Sequence, residues 1–360
     1  MRSAVLDKIA SVTLRCRLPR EVKLGGEFPC QEGDVVAVRI KSRKSTYNQL
    51  ELTTGRFSLL KTGDVIAGAL GHRRALMGYA GHLPEKLGVG DVIHLLNVGG
   101  CLGVCTSHNP DVGPPFECEV LGQILHFPYL GERIGVPANI AQGARSWSDQ
   151  LDVKGVPVIA VVGTCMNSGK TFACTSLIQE LARERVKVNA AKATGVSLRR
   201  DVLAMEDAGA LETLIFTDLG VVTTQRGNAP ALTRGMLSRL AESAPGIIVL
   251  ELGDGLMGDY GVDAILEAED IRRAFSAVVL AANDPVGAWG GLRQLTERFG
   301  LETTVVTGPA TDNVAGTDLI TGRMGVAAFN ARTQPTELAR HVLEHVRKGP
   351  TTGGGDAVAG

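Results

Sequence analysis

Val162-Gly163-Thr164-Cys165-Met166-Asn167-Ser168-Gly169-Lys170-Thr171 joins an apolar, β-branched run, Val156–Val162, to a stretch with helical spacing, Lys170–Arg185. A strand, a glycine-bounded loop and a helix in that order form the context of a phosphate-binding loop. The chemistry requires it. Successive backbone N–H groups must face phosphate oxygens, so glycines are needed where a side chain would block them. The helix start adds unpaired donors and the positive end of its dipole. Thr164, Asn167 and Ser168 fall inside the loop between Gly163 and Gly169, Lys170 reaches the β- and γ-phosphates, and Thr171 supplies a hydroxyl to Mg²⁺. Five residues separate Gly163 from Gly169, one more than the usual spacing.

Outward from this loop the chain has two textures. Downstream, strand candidates Val156–Val162, Val186–Ala191, Leu214–Phe216, Ile247–Leu250, Ala277–Ala281 and Thr303–Val306 are almost wholly apolar. Such runs suit a parallel sheet covered on both faces. They alternate with helix candidates Lys170–Arg185, Arg200–Ala208, Pro230–Glu242, Asp263–Phe275, Gly290–Phe299 and Thr336–Val346. The alternation predicts a doubly wound, mostly parallel α/β domain over 151–348. Upstream, residues 1–150 hold short alternating runs, three of them opened by Gly33-Asp34, Gly63-Asp64 and Gly90-Asp91. That pattern predicts a smaller β-rich, barrel-like domain. Leu130–Val153 reads as the link between the two, and 349–360 as a flexible tail.

The lengthened loop Gly163-Thr164 to Gly169-Lys170-Thr171 resembles that of dethiobiotin synthetases and cobyrinic acid diamide synthases. It is also similar to the loop of a poorly characterised P-loop family linked to D-glutamate metabolism. The resemblance covers about 155–330. It implies a P-loop NTPase fold, ATP and Mg²⁺ as cofactors, small-molecule carboxylate and amine substrates, and a homodimer. Lys192, just after a strand, stands where dethiobiotin synthetases carry a lysine that contacts substrate and the transferred phosphoryl group. Cys165 stands where those enzymes have an aspartate, which removes one Mg²⁺ or substrate ligand.

Further candidates follow from position. Glu251 ends the run Ile247–Leu250, and an acid there, beside a phosphate loop, is suited to hold Mg²⁺ or its water. The related enzymes have a glutamate before a glycine-rich turn at this point, as Gly253-Asp254-Gly255 supplies here, and Asp254 is the alternative metal ligand. Asp201 either caps a helix or joins in Mg²⁺ or substrate binding. Asn283 follows a strand end where nucleotide bases are often contacted, although Asn283-Asp284-Pro285 equally makes an Asx turn. The guanine-reading pattern Asn-Lys-x-Asp is absent there, which favours ATP. Cys101, Cys105, Cys118 and His108 lack a standard zinc spacing.

Composition narrows the field. The formal net charge is −1 and aromatics are 4%, so nucleic acid and anionic membranes are not expected as partners. Glycine is abundant, at 45 of 360 residues, without a collagen period. No run approaches the ~20 apolar residues of a membrane span, and the N-terminus does not read as a signal peptide, so a cytoplasmic protein with reduced thiols is expected. The expected function is ATP-dependent activation of a carboxylate for amide formation, with the N-terminal domain binding or gating substrate. A small-molecule kinase, or a nucleotide switch such as a metal-delivery GTPase, is the alternative.

Overall fold

The computed structural model describes residues 2–129 and 134–348. In the strand-rich part, β1 (Val35–Ile40), β2 (Val65–Leu70), β3 (Val92–Leu95), β4 (Cys101–His108) and β5 (Phe116–His126) pair in a closed ring. The circuit runs β1–β2–β4–β3–β5 and back to β1, with only the β2–β4 pair parallel. The expected barrel is therefore present, and closure leaves these five strands no free edge.

The three Gly-Asp pairs set its corners. Gly33, Gly63 and Gly90 all have φ between 86° and 97°, where a Cβ would be strained. In each case the following aspartate accepts a hydrogen bond from an amide three residues back: Asp34 from Gln31 (2.9 Å), Asp64 from Lys61 (2.7 Å) and Asp91 from Gly88 (2.7 Å). One local device thus starts three strands.

The second part holds β6 (Val158–Gly163), β7 (Val188–Lys192), β8 (Thr213–Ile215), β9 (Ile247–Glu251), β10 (Phe275–Ala281) and β11 (Val305–Thr307). They form one parallel sheet in the order β8–β7–β9–β6–β10–β11. Every residue of β6 and β9 is buried, which explains their unbroken apolar reading. Helices α1 (Lys170–Arg183), α2 (Arg200–Asp207) and the helix Pro335–Lys348 pack together against the sheet, as do α3 (Ala229–Ala241), α4 (Val262–Glu267) and α5 (Glu269–Ala274). Among the described residues no helix is long and apolar enough to cross a membrane.

Two expectations need correction. The single helix expected over Asp263–Phe275 is two helices, broken at Ala268, whose ψ of 108° is extended. Leu266 and Ile271 are both fully buried, yet five residues of continuous helix would set them about 140° apart. The break lets both reach the core. The helix expected over Gly290–Phe299 starts earlier, as α6 (Pro285–Arg293), because Asp284 caps it by accepting from the Gly287 amide at 2.8 Å and Pro285 sits in its first turn. The expected tail, 349–360, lies outside the described residues, as do residues 130–133 of the expected link.

The two parts are joined by buried contacts. Val196, Val222 and Tyr260 of the second part belong to the barrel's hydrophobic cluster. Glu51, fully buried beside the barrel, accepts from the amides of Arg199 (2.8 Å) and Arg200 (2.6 Å) at the start of α2, and from the Ser11 hydroxyl. A carboxylate there satisfies helix amides that have no intrahelical partner. Replacing Glu51 with alanine should cost about 1–3 kcal/mol in urea unfolding. An unchanged midpoint would show that the cap does not hold the two parts together.

Candidate functional site

The loop after β6 has the geometry its sequence predicts. Gly163 closes the strand, and a Cβ there would stand 2.4 Å from Ser168 Oγ and 2.8 Å from Lys170 Nζ. Gly169 caps α1 with φ +91°. Asn167 is also left-handed, at φ +59°, and its side-chain amide lies 3.7 Å from Met77 Sδ of the strand-rich part. Thr164 is anchored by its amide to Ala281 O at 3.0 Å. Buried Lys170 donates to Cys165 O (2.7 Å) and Ser168 Oγ (3.3 Å), so its ammonium is held by the loop's own oxygens at the head of α1. Burial lowers the Lys170 pKa, against the pull of Glu251.

Strand register builds the rest. Lys192 of β7 lies opposite Glu251 of β9, which lies opposite Val161 of β6. Glu251 is therefore bracketed by the lysine and the phosphate loop. Its Oε1 accepts from Thr171 Oγ1 at 3.0 Å and lies 3.7 Å from Lys192 Nζ. Its Oε2 is buried without a partner. Burial raises the Glu251 pKa, while Lys192 and Lys170 pull it down. Burial alone would depress Lys192, but Asp201 and Glu251 outweigh it and hold the lysine above its ordinary value.

The remaining sequence candidates fall around this row. Asp201 sits in the first turn of α2 and pairs directly with Lys192, while Glu51 takes the helix amides. Asn283 donates to Cys165 Sγ at 2.9 Å and so braces the loop. Cys101 and Cys118 are fully buried, Cys105 lies near Ser107 O, and all seven cysteines are free thiols. Among the described residues no three His, Cys, Asp or Glu side chains converge as a metal cluster.

Asp254 is the residue on which the structure adds most. It is 7% exposed, has φ +75°, and among the described residues neither carboxylate oxygen has a hydrogen-bond partner. Gly258 makes room for it, since a Cβ there would stand 1.8 Å from Oδ2. Burial lifts the Asp254 pKa to about 6, against Lys170. Two orphaned carboxylate oxygens in left-handed backbone, on the cleft that Glu251 also lines, are the open valences expected of a cation or proton site.

Lys170, Thr171, Lys192, Glu251 and Asp254 line one cleft of about 820 Å³. Its opposite wall comes from the strand-rich part, with Tyr47, Phe57, Arg73 and Met77. None of these four carries a local motif. Arg73 lies in Gly71-His72-Arg73-Arg74, and only the apposition of the two parts brings it into the cleft.

No family model matches the chain, and no curated protein matches it. Solved structures overlap about half of it. The signal recognition particle receptor FtsY from Elizabethkingia anophelis is 17% identical, covering 54% of this chain and 67% of its own, with a TM-score of 0.38. FtsY from Thermotoga maritima is 16% identical, covering 54% and 71%, with a TM-score of 0.37. A nucleotide-binding protein in complex with ADP, from Archaeoglobus fulgidus, is 13% identical, covering 55% and 93%, with a TM-score of 0.38.

The raised Asp254 pKa has a sign that can be tested. Below the ordinary value of 3.8 the group is protonated in folded and unfolded chains alike and costs nothing. As pH rises from there to about 6 the unfolded chain ionises first, so stability falls and then levels off. Asp254→Asn should therefore stabilise the ligand-free protein at pH 7 by up to about 3 kcal/mol, and by nothing near pH 3.5. Equal effects at both pH values in urea unfolding would refute this account.

Proposed function

We propose that the chain is a nucleoside-triphosphate-dependent enzyme that activates a small-molecule carboxylate by phosphoryl transfer, with ATP as donor and Mg²⁺ as its ion. The observation that carries this reading is the arrangement of Lys170, Thr171 and Glu251. A buried lysine is satisfied only by its own loop, next to a hydroxyl already bonded to a buried acid with one free oxygen.

The amides at the head of α1 cradle the phosphates, and Lys170 exchanges Cys165 O and Ser168 Oγ for phosphate oxygens. Thr171 Oγ1 and Glu251 would hold Mg²⁺, which would supply charge neutralisation to the phosphates. A carboxylate oxygen of the substrate attacks the γ-phosphorus, the bond to ADP breaks, and an acyl phosphate forms. An amine then attacks the acyl carbon, phosphate leaves, and an amide results. Lys192 steadies the migrating phosphoryl group from its pairing with Asp201 and Glu251. Asp254, with a pKa of about 6, is our candidate base for the proton the amine sheds. Adenine is favoured over guanine because Asp284 is committed to capping α6 and Asn283 to Cys165. The cleft between the two parts is the support for a small-molecule substrate.

The test is release of ADP and phosphate with pooled small carboxylic acids, with and without amines. Dependence on both supports the synthetase reading. A phosphorylated product that persists without amine makes the protein a kinase, and hydrolysis indifferent to both leaves a nucleotide switch. Lys170→Ala should cut turnover at least about 100-fold; unchanged turnover would sink the phosphate-loop assignment. Glu251→Gln should weaken the response to Mg²⁺ about tenfold or more while the variant still binds nucleotide without the ion.

A further inference from the structure

Arg73 is 5% exposed, yet among the described residues no carboxylate lies within ion-pairing distance of it. Its partners are neutral. Nη1 donates to Leu96 O and, at 2.8 Å, to the Tyr47 hydroxyl. The rings of Tyr47 and Tyr79 stand 5.5 and 5.7 Å from its guanidinium carbon. Nε is buried with no partner at all, and Nη2 makes no hydrogen bond among the described residues. The unused groups are thus Nε and Nη2, the edge whose two parallel N–H bonds match a carboxylate.

Two surroundings sharpen the point. Gly78 packs beside that edge with no side chain to cover it, and a Cβ there would stand 2.7 Å from Nη2. Two nearby arginines already have carboxylate partners: Arg74 pairs with Asp259 at 2.8 Å, and Arg226 with Asp263 and Glu267. A buried charge without a counter-ion is costly, so Arg73 is half of a pair whose other half arrives from outside. The loop holding Ala75, Met77 and Gly78 lies between Arg73 and the phosphate loop, with Met77 against Asn167, and Arg73 shares the cleft with Lys170.

We infer that Arg73 is the anchor for a carboxylate of the substrate, gripped side-on through Nε and Nη2. A carboxylate held by both oxygens is a poor nucleophile, so this group is the handle and a second carboxylate on the same molecule faces the phosphate loop. The substrate class is then a small dicarboxylate. This rests on the carboxylate-activating function proposed above for what happens at the phosphate loop, but not for the grip of Arg73 itself.

Calorimetry with succinate tests it, with and without saturating Mg–ADP, and with succinamide as the uncharged control. Saturable succinate binding is expected in the wild type and not with succinamide. Arg73→Met should weaken it at least about tenfold, and Arg73→Lys, which keeps the charge and loses the fork, should fall between. Thermal melting checks that each variant is folded, and the lysine variant carries the test if the methionine variant is not. Succinate affinity equal in wild type and both Arg73 variants, or no saturable binding, would overturn the inference. Failure of Mg–ADP to bind the wild type would instead sink the nucleotide reading and leave the Arg73 result standing.

Discussion

Four charges clustered at one end of the parallel sheet govern this molecule: Glu251 and Lys192 at the ends of β9 and β7, and Lys170 and Asp201 in the first turns of α1 and α2. Ions taken out of water are tolerable only when each finds opposite charge or a hydrogen bond. The parallel register supplies that by setting Lys192 beside Glu251 and Glu251 beside the strand that leads into the phosphate loop. Helix α2 brings Asp201 onto Lys192, and α1 brings Thr171 onto Glu251. The result is nearly neutral but unfinished, since Glu251 Oε2 and both oxygens of Asp254 have no partner. A chain whose overall charge is −1 thus concentrates its electrostatics in one cleft.

The strand-rich part takes part in that electrostatics directly. Glu51 sits at the amides of α2, the helix that presents Asp201. Arg73 and Tyr47 reach the same cleft from the opposite wall. The two walls differ in what they present: one has the amides at the head of α1 and the acids, the other a bare guanidinium edge. Sites between two packed units are common because each unit can present groups that its own core could not satisfy.

What could be read from sequence was what is decided locally. The phosphate loop is a contiguous motif, so Gly163, Gly169, Lys170 and Thr171 announce themselves. The Gly-Asp pairs at 33–34, 63–64 and 90–91 close turns within three residues, and Asp34, Asp64 and Asp91 behave alike for that reason. Glu251 was legible because it is the first charge after an apolar strand. Arg73 and Glu51 were not, because their meaning depends on segments far along the chain: Lys170 across the cleft for Arg73, and Arg199, 148 residues away, for Glu51. The break at Ala268 was hidden too: the apolar spacing around it continues, and only the demand that Leu266 and Ile271 reach one core interrupts the helix.

The sharing of Val196, Val222 and Tyr260 with the barrel cluster bears on the order of synthesis. All five ring strands have been made by residue 126. The barrel can therefore close its hydrogen-bond circuit while the later sheet is still being translated, but part of its apolar surface stays wet until residue 260 emerges. A ribosome-bound chain passes through a stage in which a closed barrel lacks its cover. Such exposed surface is what chaperones recognise and what aggregation exploits, so the interval between residues 126 and 260 is when this chain is most in need of protection.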